Sequence, residues 1–206
     1  MRTLVYHLGA ANPVRTYPPA QGAEFIRLFL TEFADWQIKV VGLNSRINRT
    51  EPGNAFDEEG EMLSDGNLSA HSRVDWLVDK TEDFMDLRPI LQAADLLVCP
   101  DSAVMHLSAA DSLPTISLWG PFDPNDRIQK DDDEPYYPKI YPIRGTGCTK
   151  SPCRTHSFSL PVDLCRSGGC EPFQPDGKTL GWCGSLASIT PEMILEKCRE
   201  AITPPR

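Results

Sequence analysis

No apolar run in this 206-residue chain is long enough to cross a bilayer; stretches such as Asp95-Leu-Leu-Val-Cys99 fall far short of the roughly 20 residues that a spanning helix needs. The opening "MRTLVYHLGA" has one Arg and only a short apolar segment, too little for the basic flank and apolar region of a secretory signal, so the cytoplasm is the expected location. Positive charge is also scarce. A formal charge of −9 opposes a nucleic-acid backbone and makes such a partner unlikely to be the target, although one well-placed Arg can still hold a small phosphate. There is no internal repeat, and no Gly-x-Ser-x-Gly elbow of the kind that presents a hydrolase nucleophile. What is present, 40% hydrophobic and 24% charged residues, is the composition of a globular domain with its own core.

The apolar pattern alternates between strand and helix. "TLVYHL" (3–8) reads as a strand, "AEFIRLFLTEF" sets Phe25, Leu28, Phe29 and Phe33 on one helical face, and "QIKVVGL" (37–43) is a second strand. Residues 44–72 turn polar and acidic and read as a loop insertion. The alternation resumes with "VDWLV" (74–78), a helix within 83–95 that Pro89 should kink or restart, "DLLVC" (95–99), a helix over 103–111, and "TISLW" (115–119). One further strand is expected near 139–143. Thr190, with Pro191 after it, opens a final helix. This order predicts a doubly wound α/β fold on a parallel sheet. The expected organisation is a Rossmann-like domain over 1–144, a cysteine-rich segment over 145–185, and a C-terminal helix over 186–206 that packs back on the domain.

Ligands of such sheets bind where the strands' carboxyl ends meet helix N-termini, and Asp101 and Ser102 stand at such a turn. The free amides of a helix start attract phosphate, yet Asp or Ser before a helix is in most proteins only an N-cap, so both readings stand on this segment alone. Ser102 and His106 share one element and do not suit a nucleophile and its base. His106 alone reads equally as a structural hydrogen-bonder. Asp131-Asp-Asp-Glu134 is read as a solvated loop. The sequons at Asn48 and Asn67 carry no weight in a cytoplasmic chain.

The run "LRPILQAADLLVCPDSAVMHLSAADSLPTISLWGPFDP" (87–124) resembles the nucleotide-sugar-binding half of the heptosyltransferases, glycosyltransferase family 9. That family has an Asp-(Ser/Thr)-Gly-x-x-His segment followed by a Gly-Pro loop in the same order. "HLGAANPVRTYPPAQGAEFIRLF" is similar to its His-x-Gly-Ala loop, and the tail "ITPEMILEKCREAI" also matches. The resemblance implies one half of a GT-B architecture. It implies that Asp101, Ser102 and Ala103 meet the donor's pyrophosphate and sugar hydroxyls, that Arg15 offsets phosphate charge, and that His106 orients the loop or touches the donor. Gly120, Pro121 and Asp123 would form a neighbouring wall. Ala103 replaces the family's Gly, so a backbone needing positive φ, or a very close ligand approach, would be impaired there.

The implied activity is transfer from a nucleotide-diphosphate sugar, ADP-heptose or a related donor, to a saccharide or glycoconjugate acceptor, as in lipopolysaccharide biosynthesis. The alternative is a non-catalytic nucleotide-sugar-binding subunit, and a third reading is a metal-stabilised interaction module. The chain aligns with the second half of such enzymes, so the acceptor half and its base are expected from a separate chain or homo-oligomer, from a local replacement, or not at all. No catalytic residue is assigned, and transfer is expected to need no cofactor.

Cys148, Cys153, Cys165, Cys170 and Cys183 crowd one Gly/Pro/Ser-rich stretch, whereas Cys99 and Cys198 stand alone. Four of the five, with His156 as a substitute, would suit a structural Zn or Fe; buried thiols and disulfides are the competing readings. The stretch also resembles the iron-binding cysteine finger of the autotransporter heptosyltransferases, with different spacing.

Overall fold

The computed structural model describes residues 1–9, 15–42, 68, 70–81, 83–128, 139–149, 151–153 and 183–203. The expected 44–72 insertion lies almost wholly outside them, as do Cys165, Cys170, His156 and the acidic run at 131–134.

Six parallel strands form one sheet in the order β3-β2-β1-β4-β5-β6. They are β1 (Arg2–His7), β2 (Trp36–Val41), β3 (Val74–Trp76), β4 (Leu96–Pro100), β5 (Thr115–Trp119) and β6 (Ile140–Arg144). The doubly wound α/β class expected from the sequence is therefore observed. Strand alternation splits the core. Leu4 and Tyr6 of β1, Leu96 and Val98 of β4, and Ile116 and Leu118 of β5 pack on one face with Phe25, Ile26 and Phe29 of α1 (Pro19–Glu32) and with Ile194, Leu195 and Cys198 of a C-terminal helix. Val5, Leu97, Cys99 and Trp119 face the other way, toward Leu87 and Leu91 of α2 (Phe84–Gln92) and Val104 and Met105 of α3 (Ala103–Ala110). Both faces are covered, which is why the central strands read as nearly continuous apolar runs.

Local chemistry sets the ends of these elements. Asp83 caps α2 by accepting from the Met85 and Asp86 amides at 2.7 and 3.1 Å. Pro89 lies inside α2, which runs through it without restarting. Arg73 reaches the C-terminal end of α1, donating to the carbonyls of Leu30, Phe33, Ala34 and Trp36, groups that have no partner within the helix.

The strand marked near 139–143 is β6, paired in parallel with β5 along its length. A four-residue helix, α4 (Gly184–Ala187), was not expected; it precedes α5 (Pro191–Ile202), whose Thr190 caps the Met193 amide at 3.3 Å. The tail is joined to the domain by Tyr17, which donates to the Ile189 carbonyl at 2.6 Å, and by Gln21, which donates to that of Ala187 at 3.0 Å. Among the described residues, no helix is long and apolar enough to cross a membrane.

Candidate functional site

Chain order reverses between β1 and β4. From β1 the sheet grows outward to β2 and β3, and from β4 to β5 and β6, the topological switch point at which sheets of this class open a ligand crevice at the strands' carboxyl ends. Arg15, just before α1, and Asp101, just after β4, meet there with Nη1 and Oδ2 3.5 Å apart. Arg15 is 7% exposed and Asp101 4%. A charge pair so removed from water costs desolvation of both ions, which a purely structural contact between two short loops has little reason to carry. Cys99, buried below, has its thiol pushed up by burial and then by the charge of Asp101.

Ser102 occupies the N-cap position of α3 with extended backbone (φ −148°, ψ 167°), but its side chain makes no cap hydrogen bond. Its Oγ is buried and has no hydrogen-bond partner among the described residues. In this respect α3 differs from α2 and α5, both capped by a side-chain oxygen. Ser102 therefore leaves the first-turn amides of α3 uncapped beside a buried Arg, an arrangement that suits an anion with several oxygens. The plain N-cap reading of Ser102 fails on this geometry. Ala103 is the first residue of α3; among the described residues the positive-φ residues other than glycine are Asp79 and Ser112, so the missing glycine imposes no strain at Ala103.

The remaining predicted positions fall in two places. His106 is half-buried on α3, one turn beyond Ser102. Gly120 and Pro121 are buried after β5, and their surroundings are the C-terminal segment: Ser151 donates to the Gly120 carbonyl at 2.6 Å, and the Cys153 thiol lies 3.8 Å from that of Pro121. Asp123 is paired with Arg144 of β6 at 2.9 Å, and Arg144 also donates to the Ser151 carbonyl. This loop is thus a wall braced from behind. Arg144 and Ser151 were missed because nothing in the sequence ties residues so far apart to the Gly-Pro turn.

Cys148, Cys153 and Cys183 converge on the same wall. Burial first, and then the neighbouring Cys153 and Cys148, push the Cys183 thiol up to about 11, while backbone hydrogen bonds from Ser185 and Leu186 pull the other way. Among the described residues no group of three or more His, Cys, Asp or Glu side chains is placed to hold a metal ion. A shallow cavity of about 440 Å³, lined by residues that include Asp95, Asp111 and Pro114, sits at the amino ends of β4 and β5, where α2 and α3 end, and takes no part in the crevice.

The family model for glycosyltransferase family 9 (heptosyltransferase) matches residues 67–160. Those residues carry the family 9 pattern. The family 9 stretch contains Asp101, Ser102 and the Gly120–Asp123 loop, while Arg15 and the C-terminal helices lie outside it. Similar solved structures extend the likeness over the whole chain at the level of fold. Escherichia coli ADP-heptose lipopolysaccharide heptosyltransferase II aligns at a TM-score of 0.64 and 20% identity, over 98% of this chain and 46% of that one. E. coli heptosyltransferase WaaC with ADP-2-deoxy-2-fluoro heptose gives 0.57 and 14%, over 97% and 43%. The iron-containing dodecameric glycosyltransferase TibC of enterotoxigenic E. coli gives 0.58 and 10%, over 98% and 45%. The chain therefore spans less than half the length of these relatives. No curated protein matches it.

One residue at the crevice was given no role in the sequence reading, although it opens the stretch similar to the His-x-Gly-Ala loop. His7 ends β1, and burial lowers its pKa from 6.5 to about 4, so the ring is neutral at physiological pH. The available signal was a lone His closing an otherwise apolar strand at the point where chain order reverses.

Proposed function

We propose that this chain is the donor-binding half of a family 9 glycosyltransferase. It holds a nucleotide-diphosphate sugar of the ADP-heptose kind for transfer to a saccharide or glycoconjugate acceptor in the cytoplasm, and lipopolysaccharide assembly is the process this chemistry suits. The observation that carries the reading is the buried Arg15–Asp101 pair beside the uncapped start of α3. A diphosphate would draw on the Arg15 guanidinium and the α3 amides, and these would stabilise the charge that grows on the leaving group as the glycosidic bond breaks. Asp101 would repel phosphate and so serves donor hydroxyls instead. His106 and the Gly120–Pro121–Asp123 wall bound the pocket. Residues 1–144 form the donor domain, 145–185 the cysteine-rich brace and 186–206 its closing helices.

Titration calorimetry with ADP-heptose tests this. Arg15→Lys, which keeps the charge but loses the two-pronged guanidinium, should weaken binding about tenfold while the melting temperature stays near that of the parent; Asp101→Asn should weaken binding similarly but also lower the melting temperature, because it leaves Arg15 as a buried ion without its carboxylate. Unchanged affinity in both would remove the pocket from the crevice.

The second reading, a binding subunit that does no transfer by itself, is separated from the first by turnover: donor binding without hydrolysis or transfer supports it. A partner chain or a further copy of this one would then complete the site. For the cysteines, no described group is placed to hold a metal ion by itself, so a structural thiophilic ion, Zn or Fe, would need Cys165 and Cys170 beside Cys148, Cys153 and Cys183. Metal analysis of purified protein should find about one ion per chain, lost on Cys183→Ser; a metal-free parent protein would end this proposal.

A further inference from the structure

Resting on the donor-pocket reading, we propose that His7 is a further ligand-contacting residue of this crevice, its Nδ1 accepting a hydrogen bond from a hydroxyl of the bound nucleotide sugar. Strand alternation places it. Val5 of β1 faces α2 and α3, so His7, two residues on, points to the same side at the carboxyl end of the strand. Tyr6 pairs with Val98, which sets His7 level with Cys99 and two residues short of Asp101 on the neighbouring strand. The ring thus stands on one bank of the crevice and Ser102 on the other. His7 Nδ1 and Ser102 Oγ are both buried side-chain atoms without a hydrogen-bond partner among the described residues. Buried polar atoms are nearly always paired, so two orphans flanking one crevice mark where an absent polar group belongs.

The chemistry of the ring selects that group. Burial lowers its pKa to about 4, so the ring carries no charge to offer a phosphate. A neutral imidazole has one N–H and one lone pair; here the proton is assigned to Nε2, which makes the buried Nδ1 an acceptor. Diphosphate oxygens at neutral pH are acceptors too and give Nδ1 nothing, whereas a hydroxyl donates. Arg15 and the α3 amides are left to the phosphates. The division of labour is charge recognition by one set of groups and hydroxyl recognition by another.

The hydroxyl has two sources, the ribose and the transferred sugar, and calorimetry at pH 7.5 with three probes separates them. The probes are ADP-heptose, ADP and inorganic pyrophosphate, each titrated into the parent protein and into His7→Phe, His7→Asn and His7→Gln. His7→Phe should weaken ADP-heptose about tenfold and leave pyrophosphate within about twofold. His7→Asn, whose carboxamide oxygen can take the place of Nδ1, should recover most of the loss. His7→Gln, whose carboxamide reaches the place of Nε2, should not. A loss that persists with ADP assigns the ribose, and one confined to ADP-heptose assigns the transferred sugar. Equal ADP-heptose affinity in all four proteins overturns the role of His7 and leaves the pocket standing; an equal fall for pyrophosphate overturns it in favour of a structural role. A parent protein that binds none of the three overturns the donor-pocket reading itself, and this inference with it.

Discussion

Arg15 and Asp101 set a problem of charge before any ligand arrives. Each is more than nine-tenths buried, and removal of one leaves the other as an ion in a dry environment. Arg15→Met should therefore destabilise the fold by about 3 kcal/mol, whereas Arg15→Met combined with Asp101→Leu should recover most of the loss, because no bare charge remains. Chemical denaturation of the three proteins measures this; a double variant no more stable than the single would mean that the pair is not the source of the cost. His7 makes the opposite kind of statement. Its folded pKa lies below the unfolded value of 6.5, at about 4, so the unfolded chain takes up the proton first as pH falls. The stability tied to its neutrality is complete above about pH 6.5 and drains away toward pH 4. Since the ring keeps part of its surface in water, the amount is about 1–2 kcal/mol. Between pH 7.5 and 4.5 the parent protein should lose that much more stability than His7→Phe, and parallel losses in the two would contradict the assigned pKa.

At the scale of elements, the C-terminal segment is held to the sheet by contacts too close for side chains. A Cβ on Gly145 would stand 1.6 Å from the Ser185 carbonyl oxygen, and one on Gly120 would stand 3.0 Å from Leu186 Cβ and 3.1 Å from Cys183 Sγ. Gly145→Ala must push β6 and α4 apart and should cost about 3 kcal/mol, with Gly120→Ala milder because side-chain atoms can shift. Thermal melts of both variants check the order, and a reversed order would mean that α4 moves freely on β6. This docking also explains what the sequence could and could not show. The strands beside α1, α2 and α3 were legible because burial on both faces writes apolar runs, and the Thr190 cap marked α5 for the same local reason. Four-residue α4 has no periodicity to read, whereas β6 was legible near 139–143 despite its exposed Pro142. The strand expected over 74–78 is only Val74–Trp76, because the chain reaches the edge of the sheet there and turns at Asp79, which has φ 58°. In the crevice, Asp101 and Ser102 were legible as polar residues at a strand end, and Arg15 only through the family resemblance. The orphaned Nδ1 of His7 was not, since strand sequence carries no record of which polar atoms go unpaired.

Among the described residues, the crevice proposed to hold the donor gathers little for the second half of a transfer reaction. Taking a sugar from its diphosphate requires a base for the acceptor hydroxyl, poised to accept a proton within hydrogen-bond reach. Of the carboxylates described at the crevice and its wall, Asp101 faces Arg15 and Asp123 faces Arg144, and a carboxylate held by a guanidinium makes a poor base. We therefore expect the chain alone to bind ADP-heptose while neither hydrolysing it nor passing heptose to an acceptor saccharide. Transfer should appear on addition of a second polypeptide bearing an acceptor site, and should then fall with Arg15→Lys in step with the loss of donor affinity. Mass spectrometry of the acceptor, with and without the second chain, reads both results. Transfer by the isolated chain would place a base among its own residues and require Asp101 or Asp123 to leave its arginine during the reaction.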